Sequence, residues 1–130
     1  MSNKKFTAEV RKSRNNRTGA FGEEAVVQYL RQNQLEILDR NWRIKEGEID
    51  IVARSREGIF IFIEVKTRSS STFGHPLESI NRAKAQRLQK LALAWLATHS
   101  KLGAEFQIDC AAVLITATGE SSIEYRARVL

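Results

Sequence analysis

Gly47-Glu48-Ile49-Asp50-Ile51-Val52-Ala53, a polar break at Arg54-Ser55-Arg56-Glu57-Gly58, then Ile59-Phe60-Ile61-Phe62-Ile63-Glu64-Val65-Lys66 is the stretch that decides the fold. β-Branched and aromatic residues on either side of a polar, glycine-ended turn predict two strands joined as a hairpin. The second strand is apolar on both faces, because Ile59, Ile61, Ile63 and Val65 alternate with Phe60 and Phe62. Such a strand belongs in the middle of a sheet. At its far end the Phe60/Phe62 face changes abruptly to Glu64 and Lys66. Burying unpaired charge is costly, so these two side chains need a partner or an ion.

The chain around this hairpin is 130 residues long, enough for one domain with its own core. Its 42% hydrophobic and 28% charged residues are ordinary for a soluble globular protein. Its longest apolar runs fall well short of the ~20 residues of a membrane span, so no membrane association is expected. A single cysteine, Cys110, excludes an intramolecular disulfide and fits a reducing, cytoplasmic setting. The net charge of +6 points to polyanionic partners, nucleic acid first, against the plainer reading of a solvated basic surface.

Residues 1–17 read as a basic flexible arm, with Lys4, Lys5, Arg11, Lys12, Arg14 and Arg17 against one acid, Glu9. It lacks the apolar stretch of a secretory signal. The arm either neutralises phosphates or merely solubilises. Residues 18–130 then form the single domain. A helix is expected from about Thr18 to Gln34, with Thr18 as cap and Ala25, Val26, Tyr29 and Leu30 as its apolar stripe. Glu23 and Glu24 fall in its first turns, where acids favour the positive end of the helix dipole; on the residues alone that role suffices.

Ile37 and Leu38 predict a short strand, from which Arg40-Asn41-Trp42-Arg43 leads into the hairpin. Arg40 and Arg43 are candidate phosphate contacts, and equally suit a protected basic sheet edge. Trp42 suits base stacking, or more commonly a place at the core. Beyond Lys66, Thr67 and Arg68 begin a polar run to Thr72 that suits phosphate oxygens or simply a solvated loop. A turn at Phe73-Gly74-His75-Pro76 follows, with His75 read as structural or exposed. A long helix is expected over about Leu77 to His99, its core face set by Ile80, Leu88, Leu91, Trp95 and Leu96. Arg82, Lys84, Arg87 and Lys90 lie on its other side, either as a nucleic-acid-facing ridge or as the usual wet face. Phe106–Ile115 reads as another buried strand, interrupted by Asp109 as a buried polar group bonded to backbone, and Ile123–Val129 as an edge strand. The expected fold is α/β: a mixed central β-sheet flanked by two main helices, in the order αβββαββ.

Glu64 and Lys66 share a strand face, and strict alternation places Glu48, Asp50 and Val52 together on the preceding strand. A hairpin register that buries the apolar faces puts Asp50 across from Phe62 or Glu64, so Asp50 and Glu64 converge. Two carboxylates so placed repel unless a cation lies between them, and Mg²⁺ is held in this way by one or two carboxylates, waters and substrate phosphate. Lys66 beside such an ion suits orienting or deprotonating a water, or stabilising the phosphorus centre under attack. A Glu-x-Lys triplet alone is weak; the neighbouring Asp and the buried strand before it sharpen the signal.

Asp50 followed by Glu64-Val65-Lys66 resembles the metal-binding core of the restriction-endonuclease-like superfamily. More closely, Thr18-Gly19, Gly22-Glu23-Glu24, Tyr29-Leu30, Arg40-Asn41, Gly47-Glu48-Ile49-Asp50, Glu64-Val65-Lys66-Thr67-Arg68 and Phe73-Gly74 resemble the bacterial YraN family, related to archaeal Holliday-junction resolvases. The resemblance spans about residues 18–115. It implies that Asp50, Glu64, the Val65 carbonyl and Glu23 bind Mg²⁺ (or Mn²⁺), and that Lys66 is catalytic alongside Asp50 and Glu64. It further implies supporting polar residues at Gln86 and Lys84, and a structural role for Asp109. Ile49 stands where the superfamily often has proline, a small departure.

The expected function is metal-dependent endonucleolytic cleavage of DNA, selective for branched structure rather than sequence. Arg17, Arg40, Arg43, Thr67, Arg68 and Arg87 are its candidate nucleic-acid contacts, and a homodimer is implied because two strands need two sites. The alternative is a nucleic-acid-binding protein that keeps the fold without cleaving. A third reading is a basic structural component of a ribonucleoprotein.

Overall fold

A computed structural model describes residues 19–69 and 81–130. Helix α1 (residues 19–32) is followed by strands β1 (Glu36–Ile44), β2 (Gly47–Arg54) and β3 (Phe60–Ser69). Helix α2 (Arg82–Thr98) then precedes β4 (Phe106–Ile115) and β5 (Ser121–Arg126). The order αβββαββ is therefore the observed one. The five strands form one sheet in sequence order, antiparallel except for the parallel β3–β4 pair, which makes the sheet mixed. A parallel pair needs a crossover long enough to return the chain, and α2 lies within it.

β3 sits at the centre because its sequence has no polar face to give to water. Phe60 and Phe62 pack with Leu88, Leu91, Trp95 and Leu96 of α2, while Ile61 and Ile63 pack with Val26, Val27 and Leu30 of α1. The α2 side is an aromatic cluster: the Trp95 ring lies 5.7 Å from both Phe60 and Phe62, tilted and edge-on respectively. Each helix covers one face of the sheet.

Several local expectations are corrected. β1 is one continuous strand of nine residues rather than a short strand and a lead-in, with a register shift between Ile37 and Asp39. Its continuation is stabilised by Trp42 and Ile44, which pack against the α2-side cluster; Trp42 thus serves the core. The stripe of α1 is centred on Val26, Val27 and Leu30, with Ala25 and Tyr29 only half-buried, and the helix ends at residue 32 as Gln34 turns left-handed. α2 starts at Arg82 behind an Asn81 cap, whose side chain accepts from the Lys84 N–H at 2.9 Å. β5 ends at Arg126 instead of reaching Val129. There Arg128 adopts φ +56° and the chain is tied back by the Val129 N–H on the Ile108 carbonyl.

The basic arm (1–17, with Arg17), the Thr18 cap and the Ser70–Ile80 segment, which includes the expected turn at His75 and the first residues of the second helix, lie outside the described residues. Among the described residues no helix is long and apolar enough to cross a membrane.

Candidate metal centre

The candidate centre lies where β2 and β3 part. Their ladder pairs Arg54 with Phe60 through to Ile51 with Ile63 and goes no further. Strict alternation would keep Ile49 and Ile51 on one face. Instead Ile51 packs towards α1 and Ile49 joins Val52 on the α2 side, so the alternation breaks at Asp50. The expected common face of Glu48, Asp50 and Val52 is corrected accordingly. In place of a backbone pair, the Asp50 carboxylate accepts the Val65 N–H at 2.8 Å. N–H and C=O of one strand residue point to the same edge, so the Val65 carbonyl also faces this gap.

Glu64 is the charge that acts most strongly on Asp50. Burial first, and then Glu64, push the Asp50 carboxyl up to about 7 against the opposing Val65 N–H; Glu48 and Glu23 add smaller contributions in the same direction. An acid whose charge is penalised by burial and by a neighbouring carboxylate makes a site whose electrostatics a cation would relieve. Lys66 is the local compensation: its Nζ lies 3.4 Å from Glu64 Oε1, with both side chains mostly shielded. The donor set of two carboxylates and one carbonyl, all oxygen, fits Mg²⁺ or Mn²⁺, hard cations that keep several waters.

Glu23 is brought to the edge of this centre by α1. Gly22 makes the approach possible, because a Cβ there would lie 1.9 Å from the Thr67 Oγ1 of β3. The Glu23 carboxylate is turned to β1: its Oε1 accepts from Arg40 Nε at 2.9 Å and from Asn41 Nδ2 at 3.0 Å. Asn41 reaches it from a left-handed backbone, φ +53°. Arg40 also binds Glu24 Oε2 at 2.9 Å. The Glu23 bond is the main cause holding the Arg40 guanidinium above its ordinary range, against the pull of partial burial. Among the described residues no three Asp, Glu, His or Cys side chains converge as a ready metal cage. Asp50 and Glu64 are the close pair, and Glu23 stands beside them with an arginine in hand.

The other residues singled out by sequence are more dispersed. Arg40, expected at phosphates, is engaged with Glu23 and Glu24. Arg43 is largely exposed and pairs with Glu48 at 3.4 Å. Thr67 and the exposed Arg68 continue β3 directly beyond Lys66. Arg87 and Gln86 are exposed on α2 and Lys84 is half-buried there; no hydrogen bond or ion pair joins Gln86 or Lys84 to Asp50, Glu64 or Lys66 among the described residues. Asp109 is fully enclosed and accepts from Gln107 Nε2, from the Arg128 backbone N–H at 3.0 Å and from the Tyr125 hydroxyl, as a buried polar group should. Sequence reading did not find the roles of Asn41 and Gly22 in setting Glu23. Both depend on partners far along the chain, although both stand in the quoted motifs.

Comparison with known proteins places the chain in a family. A "UPF0102 protein" of Beutenbergia cavernae is 47% identical over 107 residues, covering 82% of this chain and 90% of its own length. Among solved structures, an EndoMS–double-stranded DNA complex matches with TM-score 0.37 at 14% identity, over 75% of this chain and 38% of that one. SfsA of Pyrococcus furiosus, in complex with Ca²⁺, matches with TM-score 0.38 at 17% identity, over 87% and 63%. At these TM-scores neither structure bears on function. The family model described as "Uncharacterised protein family UPF0102" matches residues 22–113, which bears out the family resemblance carried by the motifs. The chain belongs to the UPF0102 family.

Proposed function

We propose that this protein is a divalent-metal-dependent endonuclease that hydrolyses phosphodiester bonds of DNA, with branched DNA as its preferred substrate. One observation carries the reading: Asp50 and Glu64 meet where β2 and β3 part, with the Lys66 amine 3.4 Å from Glu64. A binding surface alone gains nothing from acids facing phosphate, whereas hydrolysis needs them to hold an ion. Asp50, Glu64 and the Val65 carbonyl would hold Mg²⁺ or Mn²⁺, and Glu23 would join them on leaving Arg40. When bound, the ion supplies charge neutralisation at phosphorus and a more acidic water.

The chain's own groups do the rest. The Val65 N–H fixes one oxygen of Asp50, so the carboxylate is oriented before any ligand arrives. Glu64 holds the Lys66 ammonium at the gap, where it can bind a phosphate oxygen as negative charge builds there. Thr67 and Arg68 extend beyond Lys66 along the same strand, and their hydroxyl and guanidinium suit phosphate oxygens. A chain of 130 residues offers little surface for reading base sequence, so selection by DNA shape follows.

The second reading is a nucleic-acid-binding protein without cleavage, and the Arg40–Glu23 ion pair favours it, since it keeps the third acid occupied. A substrate panel separates the two. Purified protein is incubated with four-way junction, nicked and linear DNA and with RNA, each in Mg²⁺, Mn²⁺ or chelator. Metal-dependent cutting of the junction supports the nuclease; binding with no cutting of any substrate supports the second reading.

A further inference from the structure

A cleft of about 660 Å³ opens on the α2 side of the sheet, over β4 next to Glu64. Arg82 enters it from the start of α2, Arg126 from the end of β5 and Arg128 from the segment beyond. Three arginines from three segments therefore line one concave surface, with the Arg128 Nε turned towards Gln107. Among the described residues no Asp or Glu side chain lines the cleft. The Arg82 and Arg126 side chains form no ion pair or hydrogen bond among the described residues, and Arg128 has only Gln107, at 3.3 Å from its Nε. All three arginines are exposed to solvent, so the cleft is open to an anion from outside.

The wall is built, not trailing. The backbone N–H of Arg128 donates to buried Asp109 at 3.0 Å, and that of Val129 donates to the Ile108 carbonyl at 2.9 Å. Val129 then packs on Cys110 and Ala112. Asp109 itself is held by Tyr125 and Gln107, so the position of the arginines is set by a buried network. The floor is Cys110, whose thiol burial pushes up to about 12, leaving a neutral surface rather than a nucleophile. Cys110 pairs with Glu64 across the parallel β3–β4 ladder. The cleft thus begins one strand spacing, ~4.8 Å, from Glu64.

We infer that this cleft is a second phosphate-binding site, in which Arg82, Arg126 and Arg128 hold a backbone phosphate of a nucleic acid whose chain continues past Glu64 and Lys66. Guanidinium forks suit phosphate oxygens bidentately, and three of them in a concave site give more than a loose basic surface. The inference shares its nucleic-acid ligand with the proposed function but requires no cleavage. Arg126 and Arg128 lie outside the residues 22–113 that the family model matches.

The test is fluorescence anisotropy of labelled four-way junction DNA, linear duplex DNA and single-stranded RNA in chelator, from about 50 to about 250 mM NaCl. Arg82→Gln/Arg126→Gln should weaken binding roughly tenfold and reduce the log–log salt slope by about 0.9, the loss of one phosphate contact. Arg56→Gln/Lys101→Gln, at the cleft near the β2–β3 turn, serves as the charge-matched control and should leave the slope near wild type. The arm that changes most, DNA or RNA, identifies the source of the phosphate. Unchanged affinity and slope in the first variant, or equal losses in both, would overturn the inference. Binding that fails as expected in the variant while wild type never cleaves would sink the nuclease reading and leave the cleft standing. Normal cleavage with an unchanged slope would do the reverse.

Discussion

The Val65 backbone N–H donates to Asp50 Oδ2 at 2.8 Å, joining β2 to β3 just beyond the last paired residues, Ile51 and Ile63. This bond holds a carboxyl in a half-buried gap beside Glu64, and burial and Glu64 give that carboxyl a pH dependence. Asp50 titrates near 3.8 in the unfolded chain and near 7 in the folded protein, so the folded state holds the proton more tightly. The stability this confers is complete below the unfolded value and is lost as pH rises through about 7. In chelator, Asp50→Asn should therefore be more stable than wild type at pH well above 7, by on the order of 2 kcal/mol, and the difference should shrink in acid. Melting temperatures across pH check this; parallel curves for the two proteins would refute it. Added Mg²⁺ should restore wild type at high pH and leave Asp50→Asn unmoved.

Gly22 is expected to be intolerant of even one carbon. Alanine is worth about 1 kcal/mol more than glycine in a helix interior, so propensity alone favours Gly22→Ala. The Cβ would meet Thr67 Oγ1 at 1.9 Å and Thr67 Cβ at 3.0 Å, and overpacking of that kind costs about 1–3 kcal/mol. The clash should win. Urea denaturation should show a net loss in Gly22→Ala that Thr67→Ala partly rescues; strictly additive effects would contradict the contact.

Arg40 and Glu23 should couple, though modestly, because the arginine side chain remains 37% exposed. A double-mutant cycle with Arg40→Ala and Glu23→Gln should give roughly 1 kcal/mol. The more telling readout is the metal. Removing Arg40 frees an acid beside Asp50 and Glu64, so the apparent Mg²⁺ affinity of Arg40→Ala should rise. An unchanged affinity by calorimetry would exclude Glu23 from the centre.

Asp109 is a structural acid and should behave as one. Asp109→Ala strands the Tyr125 hydroxyl and the Arg128 N–H in a buried place, at roughly 1–3 kcal/mol for each donor left unpaired. Chemical denaturation should show a loss well above that of Tyr125→Phe, which removes one donor and leaves the rest. Equal losses would mean that the network hangs on the tyrosine alone.

How much of this was legible in the sequence can be judged residue by residue. β3 was readable because both of its faces are buried, which writes an unbroken apolar alternation into Phe60–Ile63. The run from Glu64 to Lys66 announced itself by ending that alternation. The face reversal at Asp50 was not readable, since it arises from where the β2–β3 ladder stops, and period-two reasoning assumes an unbroken strand. Nor could periodicity connect Glu23 with Arg40 and Asn41, which meet only because α1 is laid close to β3 through Gly22. The motif resemblance brought Glu23 to the site; geometry added that an arginine already holds it. The cleft of Arg82, Arg126 and Arg128 escaped for the same reason: its three members are scattered along the chain and meet through tertiary packing.

The central claim is that Asp50, Glu64 and Lys66 form a cleaving centre. Its most direct test is the single-turnover rate of four-way junction cleavage in Mg²⁺ for wild type, Asp50→Ala and Lys66→Ala, with junction binding measured alongside. The account predicts metal-dependent cutting by wild type, a loss of at least about a hundredfold in each variant, and binding retained in both. Cutting by Lys66→Ala at the wild-type rate, or cutting by wild type that persists in chelator, would contradict it.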